Sequence, residues 1–451
     1  MVPGKRELED RVHEWRPGGY VVLFACLLLT VLLTGCGGDQ SSRGESHAGN
    51  PAQARVADGG LPAETRLEKT PETRKRNVVL IVLEATRARS VTPYNPDLAT
   101  MPFLDELSKK SLLAKRAYTV VPHTTKALVA SECGREPHLV RKITESQPDN
   151  LPFQCLPKLL GEQGYKSVWF QNGAGNFEGR TQLVENFGYD EFYSLEDMDP
   201  DGFERVAFGR EENMMLDPSR QWLEQNGKTS FLATYKTVAP HSHYINPDRY
   251  GVVDFTEKEK LNRYLNCIRY VDFFLKNLFD QYKKLGLYDD TIFIIYGDHG
   301  EGFGEHGRYQ HDNVIYEEGL QIPLIVHDPE RWQSGERVDG LANQLDILPT
   351  IFDLLNYRVE GGDYPGYSLL DLPEDRTLMF NCWYDKRCLA STHGNEKYIY
   401  HYGNRPEQLF DLEKDPLEKT NLADSRKKDL EARRDALLKW RSSVNAMYEQ
   451  K

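Results

Sequence analysis

Apolar residues along this chain gather in short unbroken runs rather than in alternation. "NVVLIVLEA" from Asn77, "FLATYKTVAPH" from Phe231, "TIFIIYGDHG" from Thr291 and "LQIPLIVHDP" from Leu320 are each of strand length, and each stops at charged or imidazole side chains. A continuous run suits a strand buried on both faces, as in a parallel sheet. "LLAKRAYTVV" and "KSVWFQN" add two more strands. Between them lie segments with helical spacing: "MPFLDELSKKS", "LPKLLGEQGY" and the long stretch from about Thr256 to Leu285. "TTKALVASEC" reads as a short helix opened by a threonine cap. Strands alternating with helices predict an α/β domain, its mostly parallel central sheet covered by helices on both faces. In such sheets chemistry collects beyond the carboxyl ends of the strands. Glu84, His241 and the pair Asp298–His299 stand at three such ends.

The texture changes at both ends of this region. After about Asp375 the runs shorten ("TLMFNCWYD", "RCLASTHG", "EKYIYHYG", "EQLFDLEKDP"), and a charged amphipathic helix follows from about Ser425. The expected division is a catalytic domain over 77–374 and a small β-rich C-terminal subdomain with a terminal helix over 375–451. At the other end, Lys5, Arg6, Arg11 and Arg16 precede an apolar run from Tyr20 to Leu33 that is short for a bilayer span. That is the pattern of a secretory signal. Its end, Leu33-Thr34-Gly35-Cys36, resembles the lipobox of bacterial lipoproteins, so residues 1–36 read as signal peptide and lipobox, with cleavage leaving a lipid-bearing Cys36 as the new N-terminus. Residues 37–76 are polar and aperiodic and read as a flexible tether. The expected location is the bacterial cell envelope, outside the cytoplasm and anchored to a membrane.

Composition narrows the chemistry. The net charge of -13 over 451 residues argues against a nucleic-acid partner, which requires a basic face. It leaves room for an anionic substrate held by a dication and a few local Arg or Lys. An exported chain can form disulfides. Cys382 and Cys388 flank "WYDKR", a loop that a bridge can close, and Cys133 with Cys155 is the next pair, leaving Cys267 in a helical run. Spacing does not fix this connectivity, and nothing in the sequence sets an oligomeric state.

Six of the 14 residues from Asp298 to His311 are acids or histidines: Asp298, His299, Glu301, Glu305, His306 and His311. Carboxylates and imidazole on rigid strand ends suit a divalent ion such as Zn, Mn or Mg. Glu84, Asp298 and His299 would supply three ligands from two strands. A hydroxyl nucleophile near a helix N-terminus would complete the set, and "VPHTTKALV" offers one.

"NVVLIVLEATR", "PHTTKAL", "YGDHGEGFGEHG", "NQLDILPTIFDLL" and "EQLFDLEKDPLEKTNLAD", in this order, resemble the sulfatase branch of the alkaline phosphatase superfamily. The likeness covers most of residues 77 to 424. Sulfatases place a Cys or Ser, later oxidised to formylglycine, where this chain reads His123-Thr124-Thr125-Lys126. They pair aspartates where it reads Glu84-Ala85, and their Gly-Lys-x-His segment is absent. A single Glu, a Thr and an Asp-His pair look instead like the lipoteichoic acid synthases and the lipid A phosphoethanolamine transferases.

That resemblance implies an alkaline-phosphatase/sulfatase-like fold, with Glu84, Thr124, Asp298 and His299 holding the metal and Thr124 as nucleophile. Thr125 is the alternative, since the family places a small residue three positions after its nucleophile and Ala127 stands there for Thr124. Arg180, in "FEGR", matches a phosphate-binding arginine. Gln171 stands where the family has a histidine. His241 fits a substrate-side histidine, with His243 replacing a proline. His311 matches a histidine kept near the phosphate, and His306 is placed beside it as a further substrate contact. Lys126 corresponds only approximately to a sulfatase arginine, and Arg87 and Arg89 read as surface charges near Glu84.

The implied activity is phosphoryl transfer, as a phosphotransferase or phosphodiesterase, on an anionic phosphate-bearing lipid or glycan of the envelope. His241 or His311 would protonate the leaving group. Hydrolysis of a sulfate ester without formylglycine ranks second. A catalytically inactive binding lipoprotein ranks third.

Overall fold

The computed structural model describes residues 60–384 and 388–450. The expected leader, Cys36 and the first part of the tether lie outside those residues. No helix among the described residues is long and apolar enough to cross a membrane.

A nine-stranded sheet forms the centre. In chain order its main strands are β1 (Asn77–Leu83), β2 (Leu112–Tyr118), β3 (Lys166–Gln171), β4 (Glu191–Tyr193), β5 (Phe231–Lys236), β6 (Thr291–Gly297), β7 (Leu324–His327) and β8 (Glu336–Asn343). Across the sheet they run β8-β2-β7-β6-β1-β5-β3-β4, with the short strand Gln321–Ile322 also on β2. β6, β1, β5, β3 and β4 are mutually parallel.

The unbroken apolar run of β1 has a direct cause. Val78, Leu80 and Val82 enter one core, and Val79, Ile81 and Leu83 enter the other. Burial of such a side chain is worth roughly 2 kcal/mol, so a polar residue on either face would be costly. α1 (Thr124–Cys133) and α2 (Arg180–Phe187) pack against the first face, and α3 (Glu259–Lys284) against the second.

Three sequence expectations change. β7 is antiparallel to both neighbours, because the chain returns from β6 without a crossover helix. Pro323, which has no N–H for the ladder, separates it from Gln321–Ile322. The tether ends before residue 76: Arg66–Lys69 pairs with Tyr357–Glu360, a partner so distant in sequence that no local period signals it. α1 is capped by His123, not by a threonine, and no side chain closes that cap.

The C-terminal subdomain is an antiparallel meander of β9 (Thr377–Asn381), β10 (Cys388–His393), β11 (Glu396–His401) and β12 (Gln408–Asp411), followed by α4 (Lys427–Glu449). Its strands alternate as a two-faced sheet must. Met379, Leu389, Tyr398 and Leu409 meet Leu430, Leu437 and Trp440 of α4. Leu378, Phe380, Ala390 and Ile399 meet Tyr118 and Leu341 of the central sheet. Cys133 is bridged to Cys155 and Cys382 to Cys388, while Cys267 is free and buried in α3.

Candidate functional site

The pairing of β1 with β6 aligns Leu83 with Gly297, so the residues that follow, Glu84 and Asp298, emerge side by side. Asp298 is locked there. Its Oδ1 accepts from the backbone N–H groups of Ala85 and His299, both at 2.8 Å. Ala85 holds a φ of +46°, which turns the chain sharply after Glu84. Glu84 Oε1 and Asp298 Oδ2 are buried with no hydrogen-bond partner.

His299 completes a triangle. Its Nδ1 lies 2.9 Å from the Gly300 carbonyl, which only accepts, so Nδ1 carries the hydrogen and Nε2 keeps its lone pair. That lone pair sits 3.8 Å from Glu84 Oε1 and 3.6 Å from Asp298 Oδ2. Burial lowers the pKa of His299, consistent with a neutral ligand. Ligand atoms of Glu84, Asp298 and His299 all lie within 4.8 Å of one another. Two orphaned carboxylate oxygens and a bare imidazole nitrogen converging this closely fit a divalent cation, and Thr124 Oγ stands 3.2 Å from His299 Nε2.

The two threonines differ in what they face. Thr125 donates to Glu178 Oε2 at 2.7 Å, whereas Thr124 turns toward His299. Glu178 also meets His123 Nε2 at 3.1 Å and Arg180 at 3.9 Å. Burial alone would raise its pKa, but His123 and Arg180 hold it down at about 2. Arg180 is 4% exposed, and its Nη1 is buried without a partner.

The other expected site residues divide. His311 stacks on His299 with centroids 4.1 Å apart and contacts Glu301 at 2.8 Å. Burial disfavours its charge, but the Glu301 carboxylate outweighs this and raises its pKa to about 9. His241 lies edge-on to His311 at 5.7 Å. Gln171 sits at the end of β3 with its amide donating to the Gly173 and Ala174 carbonyls. His306 is withdrawn from the site: Nδ1 contacts Glu318 at 2.7 Å, Nε2 meets the Glu418 carbonyl at 3.2 Å, and the ring stacks on Tyr316. Both its nitrogens serve the junction with the C-terminal subdomain. Lys126 is buried on Glu145, with both contacts at 2.8 Å. Arg87 is not a surface charge but is 5% exposed, paired with Glu305 at 2.6 Å.

Three contributors were not foreseen. Lys236, the last residue of β5, contacts Glu84 Oε2 and lies 3.5 Å from Asp298 Oδ2. It is paired in register with Val82 of β1 and Gln171 of β3, so a lone charge ending "FLATYK" was the available signal. Burial would raise the pKa of Glu84, yet Lys236 and the nearby histidines hold it far below the usual carboxylate range. Glu178 and Glu301 position other site groups; Glu178 gave no signal of its own, and Glu301 stood in the Asp298–His311 cluster with no role assigned. The C-terminal subdomain also reaches the site: Trp383 stacks on His123 with centroids 3.6 Å apart, and its backbone N–H donates to the Asp312 carbonyl at 3.2 Å.

Comparison with known proteins places the chain in a family. A family model described as Sulfatase matches residues 76–357, and one described as N-sulphoglucosamine sulphohydrolase, C-terminal, matches residues 304–440. A lipoteichoic acid synthase-like protein of Bacillus subtilis is 25% identical over 318 residues, covering 67% of this chain and 50% of that protein. A lipoteichoic acid synthase of Staphylococcus aureus is 24% identical over 328 residues, covering 66% of this chain and 50% of its own length. The chain thus spans about half the length of the curated relatives it matches.

Among solved structures, an alkaline phosphatase superfamily protein of Vibrio parahaemolyticus superposes with a TM-score of 0.70 at 20% identity, covering 89% of this chain and 92% of that one. The lipoteichoic acid synthase LtaP of Listeria monocytogenes gives 0.67 at 18% identity, with 84% and 96% covered. The fold is that of the alkaline phosphatase superfamily, and the chain belongs to the sulfatase family.

Proposed function

We propose that this protein is a metal-dependent phosphoryl-transfer enzyme, a phosphotransferase or phosphodiesterase, that uses Thr124 as its nucleophile on a phosphate-bearing lipid or glycan of the bacterial envelope. The observation that carries this reading is the 3.2 Å approach of Thr124 Oγ to His299 Nε2, beside the unpartnered oxygens of Glu84 and Asp298. A threonine cannot form the formylglycine aldehyde. The names of the relatives, lipoteichoic acid synthases among them, support phosphoryl chemistry.

Glu84, Asp298, His299 and Thr124 would hold the ion. When bound, a dication (Zn, Mn or Mg) supplies the positive charge that makes a hydroxyl nucleophilic near neutral pH. The chain's own groups do the rest. Arg180 offers its unpartnered Nη1 to a phosphoryl oxygen, a task for which a guanidinium is well shaped. Thr124 loses its proton to solvent and its Oγ attacks phosphorus. The bond to the leaving oxygen breaks, and that oxygen takes a proton from His241 or His311. Water or an acceptor hydroxyl then gives its proton to the histidine that lost one and attacks the phosphothreonine, and the bond from phosphorus to Thr124 Oγ breaks. Gln171 lines the same strand end as a substrate contact. An envelope location, with a membrane anchor at Cys36, follows from the leader pattern and matches such a substrate.

Sulfate-ester hydrolysis is the second reading, favoured by the sulphohydrolase match over residues 304–440. Turnover of bis-p-nitrophenyl phosphate against p-nitrophenyl sulfate, with added Zn, Mn or Mg, separates them. Phosphodiester turnover in excess of sulfate turnover is expected. The reverse order would transfer the assignment to a sulfatase.

A further inference from the structure

Among the described residues, one buried cation far from the site makes no hydrogen bond or ion pair. Arg135 follows the left-handed Gly134 that ends α1 and is 3% exposed. Its guanidinium lies over the Tyr364 ring at 5.1 Å. Its Nη2 is buried and unpartnered among those residues. The nearby acids are committed elsewhere or remote. Glu136 favours the Arg135 charge through space but makes no ion pair with it, its Oε1 accepting instead from Trp440 Nε1 at 3.2 Å. Glu64 pairs with Arg66 at 3.2 Å, and Asp363 is solvent-exposed. A guanidinium stays charged in proteins, and a buried charge is ordinarily paired.

Arg135 also lines a cavity of about 370 Å³. Thr65, Gln154, Lys158 and Tyr364 supply polar groups to its wall, Glu64 adds a carboxylate that is paired with Arg66, and Leu151 and Phe153 supply apolar surface. The hydroxyls of Thr65 and Tyr364 lie 3.1 Å apart, so one can donate to the other while the second hydrogen turns to a ligand. The Cys133–Cys155 bridge pins the adjoining end of α1. We propose that this cavity is a second ligand site, binding a small organic anion through Arg135. A carboxylate or phosphate head would meet the guanidinium, with an apolar body against Leu151 and Phe153. The ten residues of α1 place it roughly 15 Å from Thr124, so its ligand would not touch the reacting group.

Isothermal titration of the full chain with benzoate and, separately, with inorganic phosphate tests this. The variants are Arg135→Met and Arg180→Met. Saturable benzoate binding that persists in Arg180→Met and weakens at least tenfold in Arg135→Met is expected. Phosphate displacing benzoate would show that the head group, whatever its source, is what Arg135 reads. Absence of saturable binding of either anion to wild type would overturn the proposal, as would equal affinity in Arg135→Met. If that variant does not fold, Leu151→Trp, which fills the cavity and keeps the guanidinium, takes its place, and unchanged benzoate affinity there is equally fatal. Because the readout is binding and not turnover, the outcome is independent of the activity assigned to Thr124.

Discussion

Lys236 contacts Glu84 and approaches Asp298 to 3.5 Å, so one of the two negative charges offered to a metal is already offset by an internal ammonium. This arrangement predicts opposite effects of one substitution. Without metal, Lys236→Met leaves two buried carboxylates uncompensated, and removing one partner of a buried pair costs roughly 3–5 kcal/mol. With metal, the same substitution removes a competing positive charge. Denaturant unfolding of the metal-free protein is therefore expected to show lower stability, while calorimetric metal titration shows affinity at least as high as wild type. Weaker metal binding in Lys236→Met would mean that the lysine supports the ion rather than substituting for it.

The threonines provide a second prediction. Thr125→Val loses the hydrogen bond to Glu178, disturbs His123 and Arg180 indirectly, and should lower kcat by about tenfold at most, on the scale of about 1.4 kcal/mol per decade. Thr124→Val removes the nucleophile and should abolish turnover. Comparable residual activity in both variants would be incompatible with the assignment.

Arg180 makes a third. Arg180→Lys keeps the charge but not the planar fork. Turnover of a phosphodiester should fall by roughly 10²-fold, the scale seen when one donor to a developing anion is lost. Steady-state kinetics with metal saturating would show it, and a rate within threefold of wild type would remove Arg180 from the phosphoryl site.

A stability effect with a defined pH sign comes from Glu132, buried in α1. Burial raises its pKa to about 8, only partly offset by the hydrogen bond from the Tyr189 hydroxyl. The unfolded chain loses this proton near 4.5, the ordinary glutamate value. Between these limits the folded state holds a proton that the unfolded state has lost. The contribution is complete below about 4.5 and disappears as pH rises through about 8, at roughly 1.4 kcal/mol per pH unit. Glu132→Gln, which mimics the protonated acid, should flatten that part of the profile in urea titrations at several pH values. Parallel profiles would show that Glu132 is ionised in the folded protein.

The sequence disclosed the parts of this molecule that depend on local order. β1 and β6 were legible because a strand buried on both faces has no room for polar residues, and Asp298–His299 because they interrupt such a run. The meander and α4 were legible from their own periodicities. What stayed hidden depends on distant pairing. Arg66–Lys69 is a strand only because Tyr357–Glu360 meets it. His306 looks like a site residue by its neighbours in sequence, yet Glu318 and Glu418 claim it across the subdomain junction. Lys236 ended an apolar strand as many surface lysines do, and only the register of β5 beside β1 brought it to Glu84.

The most direct test of the central claim is the intact mass of the metal-loaded protein, quenched in acid during turnover of a phosphodiester. A covalent adduct on Thr124, a phosphoryl group of about 80 Da or its substituted equivalent, is expected in the wild type and absent in Thr124→Ala. Adduct-free wild type that still turns over the ester, or an adduct that persists in Thr124→Ala, would contradict a threonine nucleophile at this position.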